Sequence, residues 1–304
     1  MDKPLSPRVL VIGSVNIDRI LRCPALPAPG ETVLAAMATT GFGGKGANQA
    51  AAASTMGATT HLVAKVGGDT DGLRALANLR GADVVTDTAI TDLSVPTGQA
   101  VVLVDANGEN SIVVAPGANA LLSADDVTDA LTVLRPRAGD VILTSGEVPQ
   151  PSIIAAIPFL AAGAQWIHNV APAATLPPFP TAVRPLLVAN AVEARQITGM
   201  RQLAEAAAAL AAQGSAAVVT LGADGALIAD DHGIFCLPAP TVTTVDSTGA
   251  GDVFCGTLAA EIVRGTSLQQ AVATAVAAGA FAVTGHGARG ALPRPGDLKR
   301  LIQH

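Results

Sequence analysis

Short apolar runs alternate with longer Ala-rich stretches along this chain. Residues 9–12 are wholly apolar, and similar short runs sit at 141–144, 166–169, 186–189 and 218–221. Runs of that length without polar alternation predict strands buried on both faces. Between and after them, 47–56, 71–80, 123–134, 152–161, 201–212, 249–263 and 268–283 carry helical spacing. Strands alternating with helices predict an α/β fold, with a mostly parallel central sheet covered on both faces. Ligands in such folds sit beyond the carboxyl ends of the strands.

Two regions break this rhythm. Residues 15–45 hold extended segments at 17–22 and 31–39, separated by a Pro-rich turn (Pro24, Pro27, Pro29-Gly30). Residues 97–115 read as a hairpin, with runs at 99–104 and 111–115 around Asp105-Ala106-Asn107-Gly108. Asn-Gly between alternating runs is a strong turn signal. Together these pieces predict a small β-sheet lid. The expected division is 1–14, 46–96 and 116–304 for the α/β domain, and 15–45 with 97–115 for the lid. A small sheet is marginal alone, so it is expected to pack on substrate or on a second subunit.

Half of the 304 residues are hydrophobic and 14% are charged, which supports a large core and excludes general disorder. With six Phe, one Trp and no Tyr, that core must be built from Ala, Val, Leu and Ile. The net charge of −6 comes without a basic block, so no nucleic-acid partner is expected. Cys23, Cys236 and Cys255 are far apart and odd in number, fitting neither disulfides nor a zinc site but a reducing cytoplasm. The apolar run 9–12 is too short for a signal peptide's apolar region, so none is expected. Residues 265–285 are uncharged and long enough for a membrane span, but Gln269, Gln270 and Gly279 interrupt them. A buried helix, and no membrane partner, is the expectation.

The strongest chemical signal is Asp246-Ser247-Thr248-Gly249-Ala250-Gly251-Asp252, ahead of an apolar run. Small residues at a helix start leave backbone N–H groups free for an anion. Gly249 and Gly251 allow close approach, and Asp252 is placed to take a proton from a nucleophile attacking that anion. The plainer alternative is a helix capped by Ser247 or Thr248, with Asp252 serving the dipole.

Residues 41–50 (Gly-Phe-Gly-Gly-Lys-Gly-Ala-Asn-Gln-Ala) match G-x-G-x-x-G, as do 285–290. The first does not open the initial βαβ unit, and the second runs into Pro293 and Pro295 without a helix. A P-loop also fails, because Gly46 follows Lys45. What remains is a flexible loop presenting Lys45 and Asn48. After the first strand, Asn16 and Asp18 are two apart and share one face of an extended segment. An amide and a carboxylate there can hold neighbouring hydroxyls of a polyol, or be ordinary loop polarity. Asn190 and Glu193 follow another strand end and can either form a capping box or approach a hydrated Mg²⁺. Glu147 and the stretch Thr220-Leu221-Gly222-Ala223-Asp224-Gly225 also follow strand ends, the latter able to border a nucleotide. His168 reads as a structural histidine.

In order and spacing, these pieces resemble the ribokinase (phosphofructokinase-B type) family of carbohydrate kinases. The resemblance runs through 13–18, 29–32, 42–50, 117–119, 169–172, 190–193, 220–222 and 245–252. It implies a ribokinase-like three-layer αβα domain with the small sheet as lid. It also implies ATP-dependent phosphorylation of a small sugar, D-ribose to D-ribose 5-phosphate first among them, in a cytoplasmic homodimer joined through the lid. Under it, Asp252 is the general base, and the amides of Gly249, Ala250 and Gly251 form an anion hole. Asn16, Asp18, Gly44, Lys45, Asn48 and Glu147 hold the sugar. Asn190, Thr220, Gly222, Gly225 and Gly251 border ATP, while Asn190 and Glu193 act through hydrated Mg²⁺. Asp246 with the carbonyls of Thr248, Ala282, Gly285 and Gly287 would surround K⁺. Deoxyribose, fructose and nucleosides remain alternative substrates, and a non-catalytic sugar-binding protein is the alternative outside catalysis. A nicotinamide-dependent dehydrogenase would need its glycine fingerprint after the first strand, where Gly13-Ser14-Val15-Asn16 stands instead.

Overall fold

The computed structural model describes residues 6–107, 109–174, 176–180 and 183–302. Gly108, in the expected hairpin turn, lies outside the described residues. The central sheet has eight strands. Six run side by side in parallel, in the order Thr59–Val63, Arg8–Ile12, Val141–Ser145, Gln165–Asn169, Leu186–Asn190 and Ala216–Thr220. Ala226–Asp230 and Gly233–Leu237 extend the sheet by antiparallel pairing. These last two, and Thr59–Val63, were not predicted; Thr59–Val63 carries no unbroken apolar run, while 226–229 and 234–237 do. Each lies at or near a sheet edge, where full apolarity is not required.

Successive strand residues face opposite layers. Val9, Val11, Leu143 and Val218 pack with Ala50, Val253, Leu258 and Val272 from the helices Lys45–Thr55, Ala250–Val263 and Leu268–Ala282. Leu10, Ile12, Ile142 and Trp166 turn the other way, onto Val127 and Leu131 of Ala124–Leu134 and Ile153 of Gln150–Ile154. Leu187 and Val219 meet Ala206 and Leu210 of Leu203–Gln213 on that side. The result is a three-layer αβα core. Each fully buried Val or Leu contributes about 1.5–3 kcal/mol relative to exposure.

The scarcity of bulky side chains lets helices approach closely. A Cβ on Gly256 would lie 2.3 Å from the Gln49 carbonyl oxygen and 2.7 Å from Ala52 Cβ. The helices Lys45–Thr55 and Ala250–Val263 therefore touch almost backbone to backbone. That contact carries Asn48 and Gln49 to Asp252, one turn before Gly256. The uncharged 265–285 stretch is largely the helix Leu268–Ala282, with Ala271, Val272, Ala275 and Ala278 buried. Among the described residues, no helix is long and apolar enough to cross a membrane.

A separate four-stranded sheet has the order Met37–Gly43, Asn16–Arg22, Gly98–Val104 and Asn110–Ala115. Its hairpin pairs antiparallel, and Asn16–Arg22 runs parallel to Gly98–Val104. Two expectations are corrected here. The extended segment at 31–39 is instead Met37–Gly43, so Gly41, Phe42 and Gly43 are strand residues opposite Asp18, Ile17 and Asn16, not a flexible loop. A further two-stranded ladder pairs Lys65–Gly67 with Ile90–Asp92. The helix expected at 152–161 is also broken. It consists of Gln150–Ile154 and a 3-10 segment Ile157–Ala162, where Pro158 removes a backbone donor.

Candidate active site

The candidate residues collect beyond the carboxyl ends of Arg8–Ile12, Val141–Ser145, Leu186–Asn190 and Ala216–Thr220, on the side where open α/β sheets bind ligands. Glycines bring the first loop against the helix Lys45–Thr55. Cβ atoms on Gly13 or Gly46 would meet the other residue's backbone at 2.5–2.7 Å. Gly44 adopts φ 87°, and a Cβ there would lie 2.7 Å from the Asn16 amide nitrogen. Only glycine suits that combination. Lys45 N–H donates to Glu147 Oε2 at 3.0 Å, and Ser14 Oγ donates to the same oxygen at 2.5 Å.

Asp252 is buried in the first turn of Ala250–Val263, at 7% exposure. Asn48 Nδ2 donates to its Oδ2 at 3.0 Å, and Gln49 Nε2 to its Oδ1 at 3.1 Å. Neutral amides orient the carboxylate without neutralising it. No side chain caps this helix; its cap is Gly249 in the left-handed region at φ 77°. The plainer reading, with Ser247 or Thr248 as cap, is thereby corrected. Of the three expected anion-hole amides, that of Ala250 donates to the Ser247 carbonyl at 3.3 Å.

The small sheet adds polar groups from its own side. Asp18 lies over Gly43, where a Cβ would come within 2.3 Å of both carboxylate oxygens. Burial raises its pKa to about 6; Arg289 opposes this, while Glu147 and Asp252 add to it. Asn16 Oδ1 accepts from Asn119 Nδ2 at 2.8 Å, and Asn119 Oδ1 accepts from Val15 N–H at 2.8 Å. Lys45 is half-buried, and its ammonium holds its proton more tightly than usual, through Asp252 first and then Glu147 and Glu193 against the cost of burial. Asn16, Asp18, Gly44, Lys45, Asn48 and Glu147, the set expected to hold a sugar, thus meet Asp252 in one place.

Asp246 joins two loops. Its Oδ1 accepts from Thr248 N–H at 2.9 Å and its Oδ2 from Gly287 N–H at 2.8 Å. Burial pushes its pKa up, but the bonds from Thr248 and Gly287 prevail and the net shift is downward. Gly249 packs on Ala288, whose Cα would lie 2.6 Å from an added Cβ. The carbonyls of Ala282 and Gly287 each accept one loop N–H, from Gly285 and Gly290, both at 3.2 Å. A carbonyl oxygen has a second lone pair. A carboxylate and backbone carbonyls are the hard oxygen donors that a monovalent cation such as K⁺ would require.

At the carboxyl end of Leu186–Asn190, Asn190 and Glu193 form the capping box. Asn190 Oδ1 accepts from Val192 and Glu193 N–H, and Glu193 Oε2 from Asn190 N–H, all at 2.9 Å. Among the described residues no group of three or more His, Cys, Asp or Glu could hold a metal directly. Mg²⁺ commonly keeps several waters and takes few protein ligands, the form that a pair such as Asn190 and Glu193 would suit. Thr220 ends its strand, with Oγ1 3.5 Å from the Ala189 carbonyl. Gly222 has φ 64° and open space beside it. Gly225 (φ 99°) has a packing reason of its own, since a Cβ would fall 1.9 Å from the Leu237 carbonyl oxygen. His168 is buried, its pKa lowered to about 4 by burial, with Nδ1 2.8 Å from Thr144 Oγ1. It is structural.

Sequence reasoning assigned no role to Gln49, Asn119 or Arg289. Gln49 also donates to Asn169 Oδ1 at 3.2 Å, and its neighbour Asn48 was the available signal. Arg289 sat in plain sight within the glycine pattern at 285–290, dismissed there as a cofactor fingerprint.

The model for the pfkB family of carbohydrate kinases matches residues 6–295. The deoxyribokinase of Salmonella typhi is 33% identical over 293 residues, covering 94% of this chain and 95% of that protein. The bifunctional ribokinase/ribose-5-phosphate isomerase A of Fructilactobacillus sanfranciscensis is 31% identical over 97% of this chain, which spans 56% of that longer protein. The solved structure of Arabidopsis thaliana ribokinase complexed with ribose and ATP superimposes with a TM-score of 0.86 at 28% identity, covering 99% of this chain and 100% of the other. The chain belongs to the pfkB, ribokinase-type family of carbohydrate kinases. It is a phosphotransferase with an alcohol group as acceptor.

Proposed function

We propose that this enzyme phosphorylates D-ribose at its 5-hydroxyl, with ATP as donor. The observation that carries this reading is Asp252, buried and held by Asn48 and Gln49 at the start of a helix that no side chain caps. Asp252 takes the hydroxyl proton as the sugar oxygen bonds to the terminal phosphorus and the bond to the β-phosphate oxygen breaks, releasing ADP. A placed carboxylate base contributes about 10²–10⁴-fold. The amides of Gly249, Ala250 and Gly251 and the helix dipole face the charge on the transferring group. For Ala250 this requires release of its bond to Ser247.

Asn16, Asp18, Lys45, Asn48 and Glu147 offer donors and acceptors to the sugar hydroxyls. Asn190 and Glu193 would hold Mg²⁺ through its water shell, and the ion would supply charge neutralisation for the phosphates. Asp246 and the carbonyls of Thr248, Ala282, Gly285 and Gly287 would hold K⁺ behind the anion hole. Residues 15–45 and 97–115 serve as the lid that excludes water, a competing acceptor. Ile112, Val113 and Val114 leave this sheet with exposed apolar surface, which a second copy's sheet would cover in a homodimer. Cys23, Cys236 and Cys255 are free thiols, in keeping with a cytoplasmic enzyme.

The similarity to a deoxyribokinase supports a second reading, 2-deoxyribose as acceptor. The two sugars differ by one hydroxyl, and a site built to bond it would reject the sugar lacking it. A phosphorylation panel of ribose, deoxyribose, fructose and nucleosides, with and without Mg²⁺ and K⁺, decides. Ribose should give the highest kcat/KM. Preference for deoxyribose moves the reading to that sugar, and no transfer to any of them removes it.

A further inference from the structure

Arg289 gathers three elements at the rim of the sugar-facing pocket. Its Nε–H donates to Asn48 Oδ1 at 2.8 Å, and Nη1 donates to Asn78 Oδ1 on the helix Thr70–Gly81 at 2.7 Å. Nη2 reaches the carbonyl of Gly43, the last residue of the strand Met37–Gly43, at 3.5 Å. The Asn48 carboxamide is thus engaged at both ends, because its Nδ2 donates to Asp252. A carboxamide has one accepting and one donating end, and a guanidinium can only donate. With Arg289 at Oδ1, the amide cannot flip, and its N–H must face the base. The same short loop holds Gly287 N–H on Asp246 and packs Ala288 on Gly249. One loop therefore touches the anion-binding helix start and, through Asn48, the base.

We propose that Arg289 is a positioning residue for phosphoryl transfer, fixing the Asn48 carboxamide so that it presents its N–H to Asp252 while tying the small sheet to the core. The proposal rests on Asp252 being the base. Charge supports it. The guanidinium is cationic at neutral pH and interacts with Asp18 and Asp252. In return the guanidinium restrains the upward shift of Asp18. The other charged groups facing this cluster are Glu147 beyond the strand Val141–Ser145, Lys45 on the helix Lys45–Thr55, and Glu193 toward the nucleotide end. Lysine could supply the charge but not a fork spanning Asn48, Asn78 and Gly43.

The test compares wild type, Arg289→Met and Arg289→Lys by steady-state kinetics with ribose and ATP across pH, alongside thermal melting. Misplacing a reacting group by an ångström can cost about 10²-fold, and a loss of that order in sugar kcat/KM is expected for Arg289→Met, with the ATP KM unchanged. Its acid limb should move to higher pH, because the cation that restrains Asp18 is gone. Arg289→Lys should keep the acid limb and still lose turnover. A purely structural role would not move the limb. Wild-type kcat/KM and acid limb in Arg289→Met overturn the proposal, as does a loss that lies in a raised ATP KM with kcat unchanged. If Arg289→Met does not fold, unchanged turnover in Arg289→Lys overturns it, and reduced kcat with the wild-type ATP KM and melting temperature upholds it. An active wild type with indifferent variants overturns only this role of Arg289. An inactive wild type overturns the ribose reading as well.

Discussion

Asn48 and Asp252 stand 204 positions apart in the chain and share a hydrogen bond of 3.0 Å. The bond exists because two Ala- and Gly-rich helices approach until their backbones touch at Gly256. Asp252→Asn keeps the shape of the side chain and removes its capacity to take a proton. Turnover should fall by about 10²–10⁴-fold. Nucleotide affinity, measured by calorimetry, should hold. Near-wild-type turnover would remove Asp252 from the role of base.

Gly256→Ala tests the close approach itself. The new Cβ would meet the Gln49 carbonyl oxygen at 2.3 Å, and that oxygen belongs to a helix backbone that cannot step aside cheaply. Overpacking of this kind costs about 1–3 kcal/mol. Gly41→Ala is the control, since its Cβ would make an ordinary 3.8 Å contact with Asp18 Cβ. Urea unfolding should separate the two variants, and equal midpoints would mean that the helices have room to spare.

Most of the parallel core was legible because strands such as Arg8–Ile12 and Leu186–Asn190 are buried on both faces and read as unbroken apolar runs. Thr59–Val63 escaped because an edge strand tolerates threonine and histidine. Residues 152–161 misled because helical spacing survived in the apolar positions while Pro158 interrupted the backbone bonds. The site was legible where a motif packs its chemistry into a few residues, as at 246–252. Arg289 was not, since its partners Asn48, Asn78 and Gly43 lie more than 200 positions away and nothing local marks an arginine that reaches so far.

Acid should weaken sugar binding through Asp18. Its folded pKa is about 6, so the carboxylate proposed to accept sugar hydroxyls is lost as pH falls through that value. Sugar kcat/KM should then drop toward tenfold per pH unit, while ATP binding is spared. Stability moves the other way. A carboxyl with a raised folded pKa favours the folded state most below its ordinary value of 3.8, and that contribution is lost as pH rises to about 6. Asp18→Asn should remove both effects, and an acid limb that persists in that variant belongs to another group.

Asp246→Ala should loosen the two loops that meet behind the anion-binding helix start. The variant leaves the N–H groups of Thr248 and Gly287 without their carboxylate, which costs about 1–3 kcal/mol where water does not replace it. The wild-type carboxyl has a depressed pKa, so its contribution is present above the ordinary 3.8 and is lost as pH falls below it. Melting temperatures of the two proteins should therefore differ at neutral pH and converge in acid. Turnover should fall in Asp246→Ala, and activation by K⁺ should vanish with it if the cation sits among these oxygens. Full activity with an intact K⁺ response would separate this carboxylate from both the loop geometry and the cation.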